Sequence, residues 1–136
     1  MSPKEGRTDL NVKLIQGIYD ALAKGDAPTA LGMFDPKIKW TEEAGFPTAG
    51  TYIGPDAVLE KVFKRLGADW EGFSVAPNEF IVDGDTVVAL GWYGGKSKAT
   101  GKSLRARFAH VWRIRNGKAI GFEQVADSAK VHEALH

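Results

Sequence analysis

Residues 108–118 read Phe-Ala-His-Val-Trp-Arg-Ile-Arg-Asn-Gly-Lys. Large apolar side chains occupy every second position, and His110 stands among them at the same spacing. Because successive side chains of a β-strand point to opposite faces, the pattern predicts a strand with His110 on its apolar face. A titratable group on a core-facing surface needs a hydrogen-bond partner or a cavity. The strand is therefore the first place to look for a functional site.

The Asn-Gly pair after this strand predicts a hairpin, for which two registers compete. A two-residue loop would place His110 opposite Glu123. A three-residue loop would pair Ile114 with Lys118, put Gln124 beside His110 on the inner face and turn Glu123 outward. This second register gathers one apolar face from Phe108, Trp112, Ile120, Phe122 and Ala126. Since a slip of one residue would expose that set, burial favours the three-residue loop.

Composition indicates an ordinary globular protein that forms a single domain over residues 1–136. The net charge of +1 gives no electrostatic footprint for nucleic acid or for an anionic membrane, so neither partner is expected. The absence of cysteine excludes disulfides and thiolate chemistry. No signal peptide or membrane-spanning run is evident, which favours a cytoplasmic location. His132 and His136 have a spacing that could bind metal, but no third ligand is evident, so no metal site is expected.

Two helices are predicted near the N-terminus. The first is capped by Thr8 or Asp9 and ends at Gly25, and the second is capped by Asp26 and stopped by Asp35-Pro36. Their apolar faces comprise Leu10, Leu14, Ile15, Ile18 and Leu22 in the first helix, and Ala30, Leu31, Met33 and Phe34 in the second.

A third helix is predicted from Gly54-Pro55-Asp56 to Gly67, after a short strand through Ile38, Trp40 and Glu42. Strands dominate the rest of the chain, at residues 73–82, 86–93, 104–114 and 119–126, with Gly94 and Gly95 ending the second of them. A terminal helix is predicted over residues 128–135. Helices followed by antiparallel strands predict an α+β domain, with the helices covering one face of a curved sheet.

A series of short motifs in a fixed order resembles a known family. The motifs are Tyr19-Asp20-Ala21-Leu22 before Gly25-Asp26, Ile38-Lys39-Trp40, Tyr52-Ile53-Gly54, Gly84-Asp85-Thr86-Val87-Val88, Thr100-Gly101-Lys102, His110-Val111-Trp112 before Asn116-Gly117-Lys118, and Asp127-Ser128-Ala129. Their order resembles the NTF2-like superfamily, in its SnoaL-like polyketide cyclase and ketosteroid isomerase-related branch. The resemblance implies a cone-shaped α+β fold, in which three N-terminal helices and a bent antiparallel sheet enclose a deep apolar pocket. It also implies a homodimer, and chemistry that needs no cofactor.

The resemblance assigns roles to individual residues of this chain. Glu42 matches the carboxylate base of the ketosteroid isomerases, and His110 matches their protonated acid that donates to a developing oxyanion. Their tyrosine donor falls at Ile18, one residue before Tyr19, which argues against true steroid isomerase chemistry because a helix turns about 100° per residue. The polyketide cyclases are similar in carrying a histidine on the penultimate strand. Their last-strand acid is replaced by Gln124, which cannot take a proton at neutral pH.

The sequence therefore predicts Glu42 and His110 as catalytic residues. The predicted ligand-binding residues are Tyr19, Trp40, Phe63, Trp92, Phe108, Trp112, Phe122 and Gln124. Each has a structural alternative: His110 could be a core histidine held by Gln124, Glu42 could be a solvated carboxylate, and the aromatic residues could simply pack the core. Asp127 could supply an acid, but a cap on the terminal helix is favoured.

Two functions remain open from the sequence. In the first, the protein is an enzyme in which Glu42 abstracts a proton next to the carbonyl of an apolar compound while His110 stabilises the enolate oxygen, as in an isomerase or an aldol-type cyclase. In the second, it is a non-catalytic module that binds a small hydrophobic ligand. The position of Glu42, in a shared cavity with His110 or in solvent, distinguishes them.

Overall fold

The computed structural model describes residues 3–136, with side chains from residue 6 onward. The helices are α1 (Pro3–Ala23), α2 (Ala27–Leu31), α3 (Pro55–Val58), α4 (Lys64–Asp69) and α5 (Ser128–Leu135), with a π-helical turn (Leu59–Phe63) joining α3 to α4. The strands are β1 (Phe34–Glu42), β2 (Gly50–Ile53), β3 (Trp70–Asp83), β4 (Thr86–Ser97), β5 (Ser103–Arg115) and β6 (Lys118–Ala126). Within this part of the chain, no helix is long and apolar enough to cross a membrane.

All six strands form one sheet in the order β2-β1-β6-β5-β4-β3. The β1–β6 pair is parallel and the other pairs are antiparallel. Helix α1 packs against β3 and β4, α3 packs against β1 and β2, and α5 packs against β5. The predicted α+β architecture, with N-terminal helices on an antiparallel-rich sheet, is confirmed.

Helix α1 begins earlier than the sequence suggested, at Pro3 rather than after Thr8 or Asp9. Proline suits the first turn of a helix, where its missing N–H costs no hydrogen bond. Leu10, which was expected to belong to the buried stripe, is 69% exposed. Its neighbour Asn11 faces the sheet instead, with its side-chain amide donating to the carbonyl oxygen of Gly84 at 2.9 Å.

Three other element boundaries differ from the predicted ones. Phe34 opens β1 rather than closing α2, although its ring is buried as expected. Gly67 lies within α4, which continues to Asp69. Strand β4 runs through Gly94 and Gly95, because both remain paired with β5. Gly95 has a φ of +142°, a conformation that glycine adopts without strain, so the strand bends there instead of ending.

The hairpin between β5 and β6 has a two-residue turn, so the predicted three-residue loop is wrong. Arg115 pairs with Lys118, and Asn116 and Gly117 both have positive φ, as a tight two-residue turn requires. A bulge at Ile120 then shifts the register by one residue. The bulge keeps Trp112 and Phe122 on the inner face and buries Ala119. Ile120, which the predicted register placed in that apolar set, is instead the bulged residue and is only half-buried.

Beyond the bulge, His110 lies directly opposite Gln124. Both side chains are buried on the inner face, and Glu123 is exposed, as predicted. The carboxylate of Asp127 accepts from the backbone N–H of Lys130 at 3.3 Å and so caps α5, which confirms the favoured role of Asp127. The pairing of β5 with β6 thus brings His110 and Gln124 together in the interior of the domain.

Gly91 allows β3 to approach β4 and leaves room for the ring of Phe108. A methyl group at Gly91 would lie 2.3 Å from the carbonyl oxygen of Ala76 and 2.6 Å from Cζ of Phe108. We therefore expect Gly91→Ala to lower the free energy of unfolding by about 1–3 kcal/mol, measured by urea denaturation. Gly67→Ala is the matched control, since nothing lies within 4 Å of its added methyl and a helical alanine gains about 0.5–1 kcal/mol. Equal effects of the two substitutions would contradict this account of Gly91.

Candidate functional site

A cavity of about 580 Å³ lies between the helices and the inner face of the sheet. Its exposed end is formed by small residues that include Ala23, Gly25, Gly67 and Gly72. Its other lining residues are Tyr19, Leu22, Trp40, Glu42, Val62, Phe63, Leu66, Trp70, Phe73, Ser74, Val75, Tyr93, His110, Trp112 and Phe122. The walls are thus mostly aromatic and aliphatic, and the buried polar groups are few. Such a chamber suits a small and largely apolar molecule.

His110 extends from β5 into the interior, where it is 4% exposed. Its ring stacks on Phe108, with the two centroids 4.0 Å apart. The hydroxyl of Tyr19 lies 2.5 Å from Nδ1, and the hydroxyl of Tyr93 lies 2.6 Å from Nε2. Burial lowers the pKa of His110 to about 3, so the imidazole is neutral near pH 7. The neutral ring thus lies between two phenols, with one hydroxyl at hydrogen-bond distance from each of its nitrogens.

Two further side chains orient those phenols. The indole N–H of Trp112 donates to the hydroxyl of Tyr19 at 2.9 Å, and Nε2 of Gln124 donates to the hydroxyl of Tyr93 at 3.0 Å. Oε1 of Gln124 accepts from the backbone N–H of Glu43 at 3.3 Å, which fixes the orientation of the amide. Burial raises the pKa of both phenols, so each tyrosine keeps its proton.

Glu42 lies at the end of β1 and is only 5% exposed. Its Oε1 accepts from the hydroxyl of Thr48 at 3.3 Å. Among the described side chains, two buried polar atoms have no hydrogen-bond partner: Oε2 of Glu42 and Nε1 of Trp40. Burial raises the pKa of Glu42 to about 8, and the nearby Trp40 indole and Thr48 hydroxyl offset only part of that effect. Both unpartnered atoms belong to residues that line the cavity.

The structure places most of the predicted site residues together. Glu42 and His110 both line the cavity, so Glu42 is not in solvent. Of the predicted ligand-binding residues, Tyr19, Trp40, Phe63, Trp112 and Phe122 also line it. Phe108 and Gln124 lie one layer behind, under the ring of His110 and against the hydroxyl of Tyr93.

Trp92, which the sequence predicts to be a ligand-binding residue, does not line this cavity. It lies on the outer face of β4, where the guanidinium carbon of Arg105 is 4.1 Å from its ring centroid and that of Arg107 is 5.2 Å away. The inward residue is its neighbour Tyr93, which sequence reasoning missed. The signal was available, because Tyr93 continues the inward alternation of Val87 and Ala89.

No group of three or more His, Cys, Asp or Glu side chains that could hold a metal ion occurs in the described part of the chain. His132 and His136 lie at the far end of α5, with their ring centroids 5.7 Å apart.

Helices over a six-stranded sheet, with a cavity between them, define the NTF2-like class of folds. The chain belongs to the SnoaL-like family, since the model of the SnoaL-like domain matches residues 15–122. The resemblance seen in the ordered motifs is thereby confirmed.

Solved structures agree with this assignment. An NTF2-like protein from Burkholderia thailandensis is 39% identical, with a TM-score of 0.90 over 93% of this chain and 97% of that chain. An NTF2-like protein of unknown function from Burkholderia pseudomallei is 29% identical, with a TM-score of 0.85 over 93% and 97% of the two chains. TerC, co-crystallised with polyporic acid, is 27% identical, with a TM-score of 0.84 over 93% and 98%. A search of curated proteins gives no match.

The raised pKa of Glu42 makes a prediction about stability. Between its usual pKa of 4.5 and about 8, the native state binds a proton that the unfolded state has released, so this group lowers stability progressively as the pH rises. We expect Glu42→Gln to remove that loss. The variant should be more stable than the natural protein at pH 8.5 by a few kcal/mol, since each pKa unit corresponds to about 1.4 kcal/mol.

Urea denaturation at pH 5 and pH 8.5 measures this effect, and the difference between the two proteins should be small at pH 5. Glu123→Gln is the matched control, because Glu123 is exposed on β6 and its substitution should change stability little at either pH. A Glu42→Gln difference of the same size at both pH values would contradict the burial of an unpaired carboxyl group.

Proposed function

We propose that this protein is a cofactor-free acid–base catalyst that transfers a proton next to the carbonyl group of a small, largely apolar compound. The reaction type is an isomerisation or an aldol-type cyclisation. The observation that carries the proposal is Glu42, a buried carboxyl group with one unpartnered oxygen, in a cavity that Tyr19 and Tyr93 also line. A perturbed carboxyl group beside convergent donors in an apolar chamber is a frequent mark of a catalytic site.

Glu42 supplies the base in this scheme. Its carboxylate takes a proton from the carbon next to the substrate carbonyl, the C–H bond breaks, and the electron pair forms an enolate. A carboxylate with a pKa near 8 is a stronger base than an ordinary glutamate, so transfer from carbon is easier. Return of the proton from Glu42 to a different carbon of the conjugated enolate gives an isomer. Alternatively, the enolate carbon attacks a second carbonyl group of the same molecule, a C–C bond forms as the C=O π bond breaks, and the resulting alkoxide takes the proton from Glu42.

The enolate oxygen needs a hydrogen-bond donor, and the tyrosines suit that role better than His110. The sequence suggested that His110 donates directly, but both of its ring nitrogens are bonded to phenols. Tyr19 and Tyr93 line the cavity and keep their protons, so a phenol can donate to the developing negative charge. His110 acts through them.

Hydrogen–deuterium exchange of a simple ketone tests the reaction without knowledge of the natural substrate. The probe is 4-phenylcyclohexanone in D₂O, with loss of the protons next to its carbonyl followed by proton NMR. We expect the protein to accelerate exchange, and Glu42→Gln to slow it by about 100-fold or more, because a general base contributes about 10²–10⁴-fold. With the Glu123→Gln variant, the ketone should exchange at the same rate as with the natural protein. An unchanged exchange rate with the Glu42→Gln variant would exclude Glu42 as the base.

The exchange rate should also depend on pH in one direction. Since the ionised form of Glu42 is the base, the rate should rise with pH and level off above about 8. A rate that falls across that range would argue against a carboxylate base. Saturation-transfer NMR on the same samples detects bound ketone. Binding without exchange would instead support the non-catalytic module.

Polyporic acid is a second probe, because the 27% identical TerC was co-crystallised with it. If this cavity takes a similar molecule, polyporic acid should compete with the ketone and slow the exchange in a concentration-dependent manner. Titration of the protein by calorimetry gives the affinity independently. If polyporic acid neither slows the exchange nor gives a heat of binding, this cavity does not bind the molecule with which TerC was co-crystallised.

A further inference from the structure

We propose that the tautomer of His110 decides which tyrosine, Tyr19 or Tyr93, offers a hydroxyl proton to the cavity, and that the resting protein holds the Nε2–H tautomer. His110 is a positioning residue in this proposal, and Tyr93 is the donor in the resting state. The number of protons in the buried network and the hydrogen bonds that they make support this proposal. It rests on the proposed function only for the role of Glu42.

The outer partners of the two phenols have fixed directions. An indole nitrogen can only donate, so the hydroxyl oxygen of Tyr19 must accept from Trp112. The amide oxygen of Gln124 accepts a backbone N–H, so its nitrogen must donate to the hydroxyl oxygen of Tyr93. Each hydroxyl oxygen therefore uses one of its two lone pairs for these outer partners. Its proton and its second lone pair remain available for further hydrogen bonds.

A neutral imidazole has one N–H and one bare nitrogen, so it treats its two phenols differently. In the Nε2–H tautomer, His110 donates to Tyr93, and Tyr19 donates its proton to Nδ1. Tyr93 then accepts two hydrogen bonds, and its own proton is free for a third partner. In the Nδ1–H tautomer the roles are exchanged, and Tyr19 holds the free proton.

The surroundings favour the free proton on Tyr93. Gln124 links Tyr93 to the end of β1, because its Nε2 donates to the hydroxyl of Tyr93 and its Oε1 accepts from the backbone N–H of Glu43, the residue next to Glu42. Burial and the charge of Glu42 raise the pKa of Tyr93, which agrees with this placement. The unpartnered Oε2 of Glu42 offers an acceptor on this side of the network. A ligand oxygen held by Tyr93 would therefore lie beside the carboxyl group that acts as the base.

Nitrogen NMR reads the tautomer directly. The chain has three histidines, so a His132→Gln, His136→Gln background leaves His110 as the single imidazole. Long-range ¹H–¹⁵N correlation of the ¹⁵N-labelled protein, without any ligand, distinguishes Nδ1–H, Nε2–H and imidazolium forms. We expect a single Nε2–H signal set at pH 7.

Two variants test the cause. Tyr93→Phe removes the acceptor of the Nε2–H proton, so His110 should change to the Nδ1–H form and donate to Tyr19. Tyr19→Phe leaves Tyr93 as the acceptor, so the Nε2–H form should persist. Tyr52→Phe is the control, because Tyr52 is the third tyrosine of the chain and its hydroxyl donates to the backbone carbonyl of Thr48. It should leave the tautomer unchanged.

The proposal would be overturned if His110 in the resting protein is in the Nδ1–H form, an even mixture of tautomers or an imidazolium. It would also be overturned if His110 keeps the Nε2–H form in the Tyr93→Phe variant. If Tyr93→Phe does not fold, the natural protein and Tyr19→Phe still test the proposal, because an Nδ1–H form of His110 in either protein would contradict it. The tautomer is measured without substrate. If the tautomers are as expected but the ketone does not exchange, the proposed reaction is refuted and this inference stands. If the ketone exchanges but the tautomers differ from those expected, this inference is refuted and the proposed reaction stands.

Discussion

The imidazole of His110, held between two phenols, is the interaction on which the interior of this protein depends. Tyr19 comes from α1 and Tyr93 from β4, so the two hydrogen bonds tie the first helix and the neighbouring strand to β5. Gln124 adds β6 to the same network. Buried polar groups stabilise a fold when they have partners, and here every group of the network has at least one, with a single phenolic proton left over. The network thus fixes the wall of the cavity as well as the spacing between helix and sheet.

Glu42 differs from this network, because its carboxyl group is buried while one of its oxygens, Oε2, has no hydrogen-bond partner. An unpaired polar atom in the interior costs stability, and that cost is tolerated most often where function needs it. The two groups also oppose each other in pH dependence. Burial disfavours the charged form of each, so His110 lowers stability as the pH falls below 6.5 and Glu42 lowers it as the pH rises above 4.5. Between pH 4.5 and 6.5 the two groups change the free energy of unfolding in opposite directions, so their effects cancel. The free energy of unfolding falls below pH 4.5 because of His110, and it falls above pH 6.5 because of Glu42.

Period-two alternation made much of this site predictable from sequence. It placed His110 and Gln124 on one inner face, and the structure agrees. For Glu42 the sequence left open whether the carboxyl group lies in the cavity or in solvent, and the structure buries it. The same rule is sensitive to a shift of one residue. The bulge at Ile120 has no clear sequence signal, so the predicted register was wrong and Ile120 does not belong to the buried face, whereas Phe122 and Gln124 do. Trp92 and Tyr93 are both aromatic, and only the phase of the alternation along β4 determines that Tyr93 faces the cavity.

The network also explains why a histidine, rather than a carboxyl group, suits this position on β5. A carboxyl group presents its two oxygens on the same side of one carbon, whereas the ring nitrogens of His110 reach partners on α1 and on β4. A neutral imidazole donates at one nitrogen and accepts at the other, so it can satisfy both phenols without a buried charge. One phenolic proton is then left over for the cavity. Which phenol can donate to a ligand is therefore a property of the network, in which His110 holds both tyrosines.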